Sequence, residues 1–498
     1  MPTAAATEFD TIIGLEVHAQ LLTRSKMYCG CSADYAAAPP NTHVCPVCLG
    51  LPGALPVINR AAIETCVLTG LALNCDIPPF SKLDRKNYVY PDLPKGYQIS
   101  QYDLPLCVGG TLTFESGGET RQAGITRVHI EEDTGRLLHR TAEDGAEVSL
   151  VDLNRSGVPL MEIVGEPDLR SPEEARDYLI ALRQILRYIG ASTGNMEEGA
   201  FRCDANVSTR AVDGSIVGAK VEIKNMNSFR AIERALRFEE QRQREVLAAG
   251  DRVPQETRGW VEARGVTVSQ RTKEQAHDYR YFPEPDLPPI TIGSDIVASV
   301  KSRLPEMPVT RRDRFVQAFV LGAAEATLLT AERRVADYFE EVVGPTASKD
   351  DGRSAANWIL NDLFGLQRAR GLPPDELPLS TTQLRELIAA VRSGDITVRA
   401  AKELLPQMAR GESPRDAAAR LNLLSLDDDA TLRQAVGDTL AAFPAAVADY
   451  RNGKTAAIGR LIGETIKRTG GRAKPEAVRE LLEHALRSEE GPARGGPA

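Results

Sequence analysis

The sequence lacks the features that would indicate a membrane, secreted or disulfide-rich protein. None of its apolar runs is long enough to cross a bilayer, and residues 1–10 have neither the basic flank nor the apolar core of a signal peptide. Only 8 of the 498 residues are cysteine, and four of these lie scattered in apolar segments, which suits a reducing compartment better than a disulfide framework. We therefore expect a cytoplasmic protein without a membrane segment.

An excess of basic residues is also missing. Lysine and arginine total 60 against 69 aspartate and glutamate residues, which gives a net charge of −9. This balance excludes a uniformly basic nucleic-acid binder, so any contact with nucleic acid must come from a local basic patch.

The signatures of several common enzyme classes are absent as well. The sequence contains neither a nucleophile elbow nor a glycine-rich dinucleotide fingerprint directly after a predicted strand. Gly453-Lys454-Thr455 resembles the end of a phosphate-binding loop, but Ala448 stands where that loop requires its first glycine, and a helical pattern precedes it. We therefore reject that loop, and the chemistry must depend on another kind of site.

The hydrophobic pattern predicts an N-terminal region that mixes strands and helices. Short alternating segments are separated by turn signals such as Gly117-Gly118 and Asp144-Gly145, which predict hairpins. Ser171-Pro172 opens a helix, with serine at the N-cap and proline in the first turn. A second helix is predicted to begin near Ser228.

Two boundaries divide the rest of the chain. Four prolines fall within residues 282–289, which excludes a continuing helix or a central strand there. Alanine-rich helical patterns follow, including one over residues 316–329, and a second break falls near residues 410–414. We predict an α+β protein with domains at residues 1–292, 293–410 and 411–498.

Four of the cysteines form two closely spaced pairs, Cys29-Gly30-Cys31 and Cys45-Pro46-Val47-Cys48. Two such pairs at the ends of one short loop are typical of a tetrahedral thiolate cage around Zn²⁺. Four unrelated thiols are the alternative, but free cysteines do not usually pair twice within one loop. Because four sulfur ligands leave no open position, we predict a structural zinc site.

Several predicted strands carry a carboxylate among apolar residues. Along residues 14–21, Glu16 and His18 fall on the face opposite Leu15 and Val17. The other strand-like segments contribute Glu131 and Glu132, Glu162, Arg202 and Asp204, and Lys220, Glu222 and Lys224. A solvated outer face accounts for any one of these residues, but less well for the whole set.

Carboxylates that face one point repel one another unless cations neutralise them. Oxygen ligands favour Mg²⁺, which commonly bridges to nucleotide phosphates through one or two carboxylates. The set therefore predicts a magnesium site for a nucleotide, although spacing alone does not establish that these strands meet. Residues that would line such a site are Arg85, Lys86, Tyr88, Tyr90 and Tyr97.

Long blocks of the sequence, all in one order, resemble the B subunit family of the tRNA-dependent aspartyl/glutamyl amidotransferases. The resemblance extends over essentially the whole chain. The blocks are GLEVH at 14–18, CPVCLGLPG at 45–53, DRKNY at 84–88, YPDLPKGYQISQYD at 90–103, GNMEEG at 194–199, RCDANVS at 202–208, VEIKN at 221–225 and DYRYFP at 278–283.

The resemblance implies one subunit of a three-subunit ligase. A partner amidase (A) subunit would release ammonia from glutamine, and a small C subunit would tether the other two. The B subunit would bind misacylated tRNA(Asn) or tRNA(Gln), activate the side-chain carboxylate with ATP and Mg²⁺, and form the amide. The matching aminoacyl-tRNA synthetase is a further expected partner.

The resemblance also implies the arrangement of the domains. Residues 1–292 would form a cradle domain, an antiparallel sheet with helices, followed by an all-helical domain and a small helical tail domain. The tail would contact tRNA, and its last helices carry Arg451, Lys454, Arg460, Lys467, Arg468, Arg472 and Lys474.

Individual roles follow from the positions that match. Catalytic roles would fall to Glu16, His18, Lys86, Glu132, Glu162, Asp204 and Glu222. Magnesium ligands would be Glu16, His18, Glu132, Glu162 and Glu222, and Glu131 would join these five in binding the nucleotide. Lys86 and Glu132 would also lie at the inner end of an ammonia channel.

Two other functions stay open at the level of sequence. One is a stand-alone ATP-dependent ligase that uses free ammonia, and the other is a zinc-containing scaffold that binds tRNA without catalysis. The choice between Asp-tRNA and Glu-tRNA as the main substrate depends on which synthetases the organism has, and the sequence does not decide it.

Overall fold

The computed structural model describes residues 9–213, 218–272, 276–345, 348–408, 411–426 and 429–488. The chain divides into two compact units, Met1–Pro308 and Val309–Ala498. No helix in these described ranges is both long enough and apolar enough to span a membrane. The α+β class predicted from the sequence is confirmed, because a large sheet with helices precedes a helical region.

The strands of the described residues are numbered in chain order. They are β1 Phe9–Gln20, β2 Phe80–Ser81, β3 Asp84–Asn87, β4 Tyr97–Ser100, β5 Cys107–Val108, β6 Thr111–Ser116, β7 Glu119–Glu132, β8 Arg136–Thr141, β9 Glu147–Asp152, β10 Pro159–Gly165, β11 Phe201–Ala211, β12 Val221–Lys224, β13 Glu256–Val261, β14 Val266–Thr272, β15 Phe282–Pro283 and β16 Ile290–Thr291.

The α-helices are numbered in the same way. They are α1 Arg60–Ala72, α2 Pro172–Tyr188, α3 Phe229–Ala248, α4 Ser294–Lys301, α5 Pro308–Phe319, α6 Ala323–Leu329, α7 Arg333–Val343, α8 Lys349–Asn357, α9 Phe364–Ala369, α10 Thr381–Ser393, α11 Val398–Met408, α12 Pro414–Arg420, α13 Asp429–Ala442, α14 Pro444–Arg451, α15 Ala457–Arg468 and α16 Pro475–Ser488. A 3₁₀ turn lies at Ala276–Tyr279, and a π-helical segment at Trp358–Leu363 joins α8 to α9.

The first unit is built around a nine-stranded sheet in the order β14-β13-β12-β11-β1-β10-β7-β5, with β6 paired to β7. The predicted antiparallel sheet is correct for every pair except β12 and β13, which run parallel. The physical reason is the connection between them. A parallel pair requires a long crossover, and the 20-residue helix α3 supplies it.

Strand β1 explains how the sheet separates its two faces. Ile13, Leu15, Val17 and Ala19 are buried, and they belong to one hydrophobic core with residues of α2 and α3. The residues between them, including Glu16, alternate onto the other, polar face. The buried face fixes the strand register, because a slip of one residue would put every apolar side chain on the polar side.

Local signals in the sequence predicted several of these elements correctly. The Ser171 hydroxyl accepts a hydrogen bond from the Glu174 amide at the start of α2, and Ser228 caps α3 in the same way. Gly117 and Gly118, with φ of +60° and +80°, form the two-residue turn between β6 and β7. The turn at Asp144-Gly145 joins β8 to β9, as predicted.

The second unit is helical and contains two hydrophobic cores. One draws its buried residues from Phe315 to Leu423, and the other from Leu432 to Leu486. The helical pattern over residues 316–329 is divided in two, because Val320 adopts φ +53° between α5 and α6. The division into three domains stays a prediction; residues 409 and 410, at its second boundary, lie outside the described residues.

We expect Gly352→Ala to destabilise the helical unit. A methyl group at Gly352 of α8 would lie 2.4 Å from Cδ1 and 2.7 Å from Cβ of Phe319, whose ring packs against Phe315 and Phe339. Such overpacking costs about 1–3 kcal/mol, which outweighs the gain of about 0.5–1 kcal/mol in helix propensity. Thermal unfolding should show a lower midpoint for this variant.

Gly365→Ala is the matched control. Gly365 also lies inside a helix, but nothing stands within 4 Å of the position of its missing Cβ. That variant should therefore unfold at the same or a slightly higher temperature. An equal loss of stability in both variants would contradict the packing argument.

Candidate active site

The polar face of the sheet brings ionisable side chains into rows that run across the strands. In the first row, Arg202 of β11 lies opposite His18 of β1, His18 opposite Glu162 of β10, and Glu162 opposite His129 of β7. Residues directly opposite one another share a face and have their Cβ atoms about 5 Å apart. The pairing therefore brings together residues that are more than a hundred positions apart in sequence.

Three of these side chains converge closely enough to share one cation. The Nε2 atom of His18 lies 3.6 Å from Oε1 of Glu131 and 3.6 Å from Oε2 of Glu162. One ligand atom from each residue falls within 4.8 Å of the others. One imidazole nitrogen and two carboxylate oxygens are a donor set that suits a divalent cation, and the geometry of this cluster fits such an ion.

Neighbouring groups keep the Glu162 carboxylate ionised. Burial raises the pKa of this carboxyl group, but interactions with His129, His18 and Lys86 outweigh burial and hold the pKa well below its ordinary value. A buried carboxylate that stays charged at neutral pH is prepared to bind a cation.

His129 is a site residue that the sequence reasoning missed. Its Nε2 atom lies 3.2 Å from Oε2 of Glu162, and the side chain is buried. Its Nδ1 atom has no hydrogen-bond partner among the described residues. Nε2 is therefore the ring nitrogen that faces the Glu162 carboxylate. The alternation of His129 with Glu131 along one strand was the signal available in the sequence.

A second acidic group lies beside the first. The Asn206 amide donates to Oε1 of Glu16 at 2.8 Å, and Lys224 forms ion pairs with Asp204 and, at 3.5 Å, with Glu222. Asn206 also lies opposite Glu222 in the pairing of β11 with β12. Four of the five predicted magnesium ligands therefore fall into two groups, Glu162 with His18, and Glu16 and Glu222 with Lys224.

Glu132 lies apart from both groups. Its carboxylate forms an ion pair with Lys95 and accepts a hydrogen bond from the Ile99 amide at 3.0 Å. Successive side chains of a strand point to opposite faces, so Glu131 rather than Glu132 joins His18. The metal and channel roles of Glu132 stay predictions.

Four tyrosines, Tyr88, Tyr102, Tyr279 and Tyr281, pack together beside the His18 cluster and are called the aromatic wall here. The Lys86 amine lies 4.9 Å from the ring centre of Tyr279 and 5.9 Å from that of Tyr88. Tyr281 packs against Tyr279 and stacks on Tyr102 at 4.4 Å. Burial and then the carboxylates of Glu131 and Glu162 raise the pKa of Tyr281, which keeps its hydroxyl protonated.

The other predicted lining residues have different surroundings. The Arg85 guanidinium donates two hydrogen bonds to Glu284, at 2.7 and 2.8 Å, and lies over the ring of Tyr97. Tyr90 is largely exposed. Of the predicted lining residues, Tyr88 therefore belongs to the aromatic wall, and Lys86 lies against it.

The four paired cysteines converge on one point, as predicted from their spacing. The sulfur atoms of Cys29, Cys31, Cys45 and Cys48 all lie within 4.8 Å of one another, and none forms a disulfide. The sulfurs of Cys45 and Cys48 are 3.8 Å apart. Two thiolates bound at about 2.3 Å to one tetrahedral ion lie at about this separation, so the cluster fits Zn²⁺.

The cysteine loop is fastened to the segment that leads into β10. A hydrogen bond from Cys29, together with the nearby Lys26 ammonium, lowers the pKa of Cys48 to about 4, although burial opposes this. The fully buried Lys26 also donates to the backbone carbonyls of His43 and, at 3.3 Å, Leu153. Cys48 therefore favours the thiolate form that binds metal.

Comparison with known proteins agrees with this geometry. The chain matches the GatB/GatE catalytic domain over residues 11–298 and the GatB domain over residues 337–486. The first match contains the sheet, both acidic groups and the cysteine cluster.

Full-length relatives extend the match to nearly the whole chain. Three of them carry the name of the B subunit of an aspartyl/glutamyl-tRNA(Asn/Gln) amidotransferase. The protein from Thermomicrobium roseum is 61% identical over 480 residues, with 96% of this chain and 99% of the relative covered. Those from Dehalococcoides mccartyi and Moorella thermoacetica are each 51% identical, over 96% of this chain and 99% and 100% of the relatives. The chain therefore belongs to the B subunit family of the aspartyl/glutamyl-tRNA(Asn/Gln) amidotransferases.

Proposed function

We propose that this chain is the subunit of a tRNA-dependent amidotransferase that makes Asn-tRNA(Asn) or Gln-tRNA(Gln) from the misacylated tRNA. It uses ATP to activate the side-chain carboxylate of the attached aspartate or glutamate, which ammonia then converts into an amide. The observation that carries this proposal is the convergence of the His18, Glu131 and Glu162 side chains next to Lys86 and the aromatic wall. The reaction class and the tRNA substrates come from the names of the relatives.

The chemistry needs positioning and charge neutralisation rather than a protein nucleophile. An oxygen of the substrate carboxylate attacks the γ-phosphorus of ATP, and the bond to the bridging oxygen breaks, so ADP leaves with the electron pair. Ammonia then attacks the carbonyl carbon of the acyl phosphate, and phosphate leaves as the nitrogen loses a proton. Mg²⁺ would neutralise phosphate charge here, held by His18, Glu131 and Glu162.

The second acidic group offers a place for another cation. Glu16, Asp204 and Glu222 surround Lys224, whose ammonium balances part of their charge. We infer that these carboxylates, with Lys224, hold the nucleotide on the side of the sheet towards β12. A second cation held there would help to stabilise the attacking and leaving oxygens of the phosphoryl transfer.

The ammonia is proposed to come from a partner. The sequence has no serine–lysine amidase signature, which favours a glutaminase supplied by an A subunit, with a small C subunit as tether. We keep Lys86 and Glu132 as the residues at the inner end of an ammonia channel. We also propose that the matching aminoacyl-tRNA synthetase is a partner and that the protein is located in the cytoplasm.

Glu162→Gln tests the function directly in the assembled complex. The substitution keeps the size of the side chain but removes the charge that the cation requires. We expect Mn²⁺ binding to weaken and amide formation to fall on the order of 100-fold, whether glutamine or ammonium supplies the nitrogen. Glutaminase activity measured without tRNA should persist.

The control for this experiment is Glu166→Gln. Glu166 is an exposed carboxylate just beyond β10 that accepts a hydrogen bond from Thr126. This variant should behave as wild type. Normal amide formation by Glu162→Gln would disprove the site.

The wild-type chain without partners tests the two alternative functions. Amide formation with ammonium by this chain alone would indicate the stand-alone ligase, and the absence of ATP turnover would indicate a scaffold.

We propose that zinc in the cysteine cluster stabilises the fold and takes no part in the reaction. Cys45→Ser should lose zinc and lower the unfolding midpoint by roughly 5 °C or more, because a structural zinc ion contributes to the free energy of folding. ATP binding should persist in the folded fraction. Ser32→Ala alters the same loop without removing a ligand and should keep both zinc and stability. A wild-type protein purified without zinc would disprove the proposal.

We also propose that the last helices bind tRNA phosphates through a local basic patch. Lys467 and Arg468 end α15, and both are exposed. By contrast, Lys454 forms an ion pair with Asp449 at 2.9 Å. The two exposed cations at the end of α15 are better placed than Lys454 to neutralise phosphates, which releases counterions and makes binding salt-dependent.

Replacing both Lys467 and Arg468 with glutamine should raise the KM for misacylated tRNA and flatten its dependence on salt. Each lost phosphate contact should reduce the slope of log affinity against log salt by about 0.7–0.9. Arg433→Gln is the control, because Arg433 of α13 is paired with Asp429. An unchanged KM and an unchanged slope in the double variant would show that these two residues do not bind the tRNA.

A further inference from the structure

Arg127 lies on the polar face of the sheet, in the same row across the strands as Glu16. It lies opposite Val164 of β10, and Val164 lies opposite Glu16 of β1. Two strand spacings, about 10 Å, therefore separate the backbones of Arg127 and Glu16. Along its own strand, Arg127 alternates with His129 and Glu131, so all three share the face that carries the His18 cluster.

The Arg127 guanidinium lacks the partners that other cations of this face have. Its Nε atom is buried without a hydrogen-bond acceptor, and no ion pair between described residues includes it. Elsewhere on the face, Arg202 pairs with Asp133 at 3.0 Å and Lys224 pairs with Asp204. A half-buried guanidinium without an anion is unfavourable unless the anion arrives with a ligand.

The surroundings of Arg127 favour a ligand rather than a protein partner. Val164, the side chain between Arg127 and Glu16 in this row, has no polar atom. Tyr281, from the aromatic wall, interacts with Arg127 and with the carboxylates of Glu131 and Glu162. Arg127 is thus close to both the wall and the cation-binding cluster, on the side opposite the second acidic group.

We propose that Arg127 binds the phosphoryl group that is transferred from ATP to the substrate carboxylate, an inference that rests on the function proposed above. A guanidinium presents two parallel N–H donors that match two oxygens of a phosphoryl group. As the bond from phosphorus to ADP breaks and the bond to the carboxylate oxygen forms, charge is spread over the three phosphoryl oxygens. Two of these oxygens would accept hydrogen bonds from Arg127, opposite the ion held by His18, Glu131 and Glu162.

The test compares Arg127→Gln, Arg127→Lys and Arg127→Ala in the assembled complex, with misacylated tRNA and ammonium as the nitrogen source. The glutamine variant should reduce kcat on the order of 100-fold and weaken the binding of a non-hydrolysable ATP analogue, because it loses the charge and the paired N–H donors. ADP lacks the transferred phosphoryl group and should bind this variant as it binds wild type. Lysine keeps the charge but not the paired donors, so its kcat should be intermediate. Added guanidinium ion should partly restore the alanine variant.

Arg121→Gln is the matched control. Arg121 lies on the same strand, but it is exposed and pairs with Glu119 at 2.9 Å. That variant should keep wild-type kcat and wild-type affinity for the ATP analogue. All variants should keep Mn²⁺ binding and the KM for tRNA, since Arg127 contributes to neither.

Three results would overturn the proposal. One is an unchanged kcat and an unchanged affinity for the ATP analogue in Arg127→Gln. Another is a higher KM for tRNA with unchanged affinity for the ATP analogue, which would make Arg127 a tRNA contact. The third is a lower unfolding midpoint in Arg127→Gln together with wild-type kcat in a stably folded Arg127→Lys, which would make Arg127 structural. Failure of the proposed function is distinguishable, because a wild-type complex would then form no ADP with misacylated tRNA.

Discussion

The antiparallel pairing of β1 with β10 and β11, and of β10 with β7, is the constraint on which the rest of the structure depends. This pairing aligns Arg202, His18, Glu162 and His129 in one row across four strands. The apolar alternation of β1 against the helices fixes the register, and a slip of one residue would send His18 into the core. The geometry of the candidate site is therefore a consequence of core packing on the opposite face of the same sheet.

Charge balance explains why so many carboxylates can share one face. Glu162 lies 3.2 Å from Nε2 of His129 and 3.6 Å from Nε2 of His18, and Asp204 and Glu222 pair with the Lys224 ammonium. The adjacent residues Glu131 and Glu132 point to opposite faces of β7. Glu131 joins the His18 cluster, and Glu132 pairs with Lys95 on the other side. Glu131 and Glu162 are buried, and the lower dielectric of a buried site strengthens each electrostatic interaction.

The loop that carries the cysteine cluster is hydrogen-bonded to the segment that precedes β10. Buried Lys26 ties the cluster's loop to Leu153, and the Asn154 side chain accepts a hydrogen bond from the His43 amide at 2.8 Å. The segment that contains Leu153 and Asn154 continues directly into β10, which carries Glu162. A metal ion that holds the cysteine loop would therefore also help to fix the start of a strand of the candidate site.

The sequence by itself determined the local features, because these depend on neighbouring residues. Serine caps began α2 and α3, a glycine pair set the turn after β6, and the cysteine spacing indicated that the four paired thiols converge, as they do in the structure. Only the tertiary structure decided which carboxylates meet. Periodicity assigns a residue to one face of a strand, but strand order and register select its neighbours, and these depend on packing between distant segments. For that reason the sequence did not indicate that His129 faces Glu162, or that Glu222 lies beside Lys224 and apart from His18. The parallel pairing of β12 with β13 likewise emerged only with the crossover through α3.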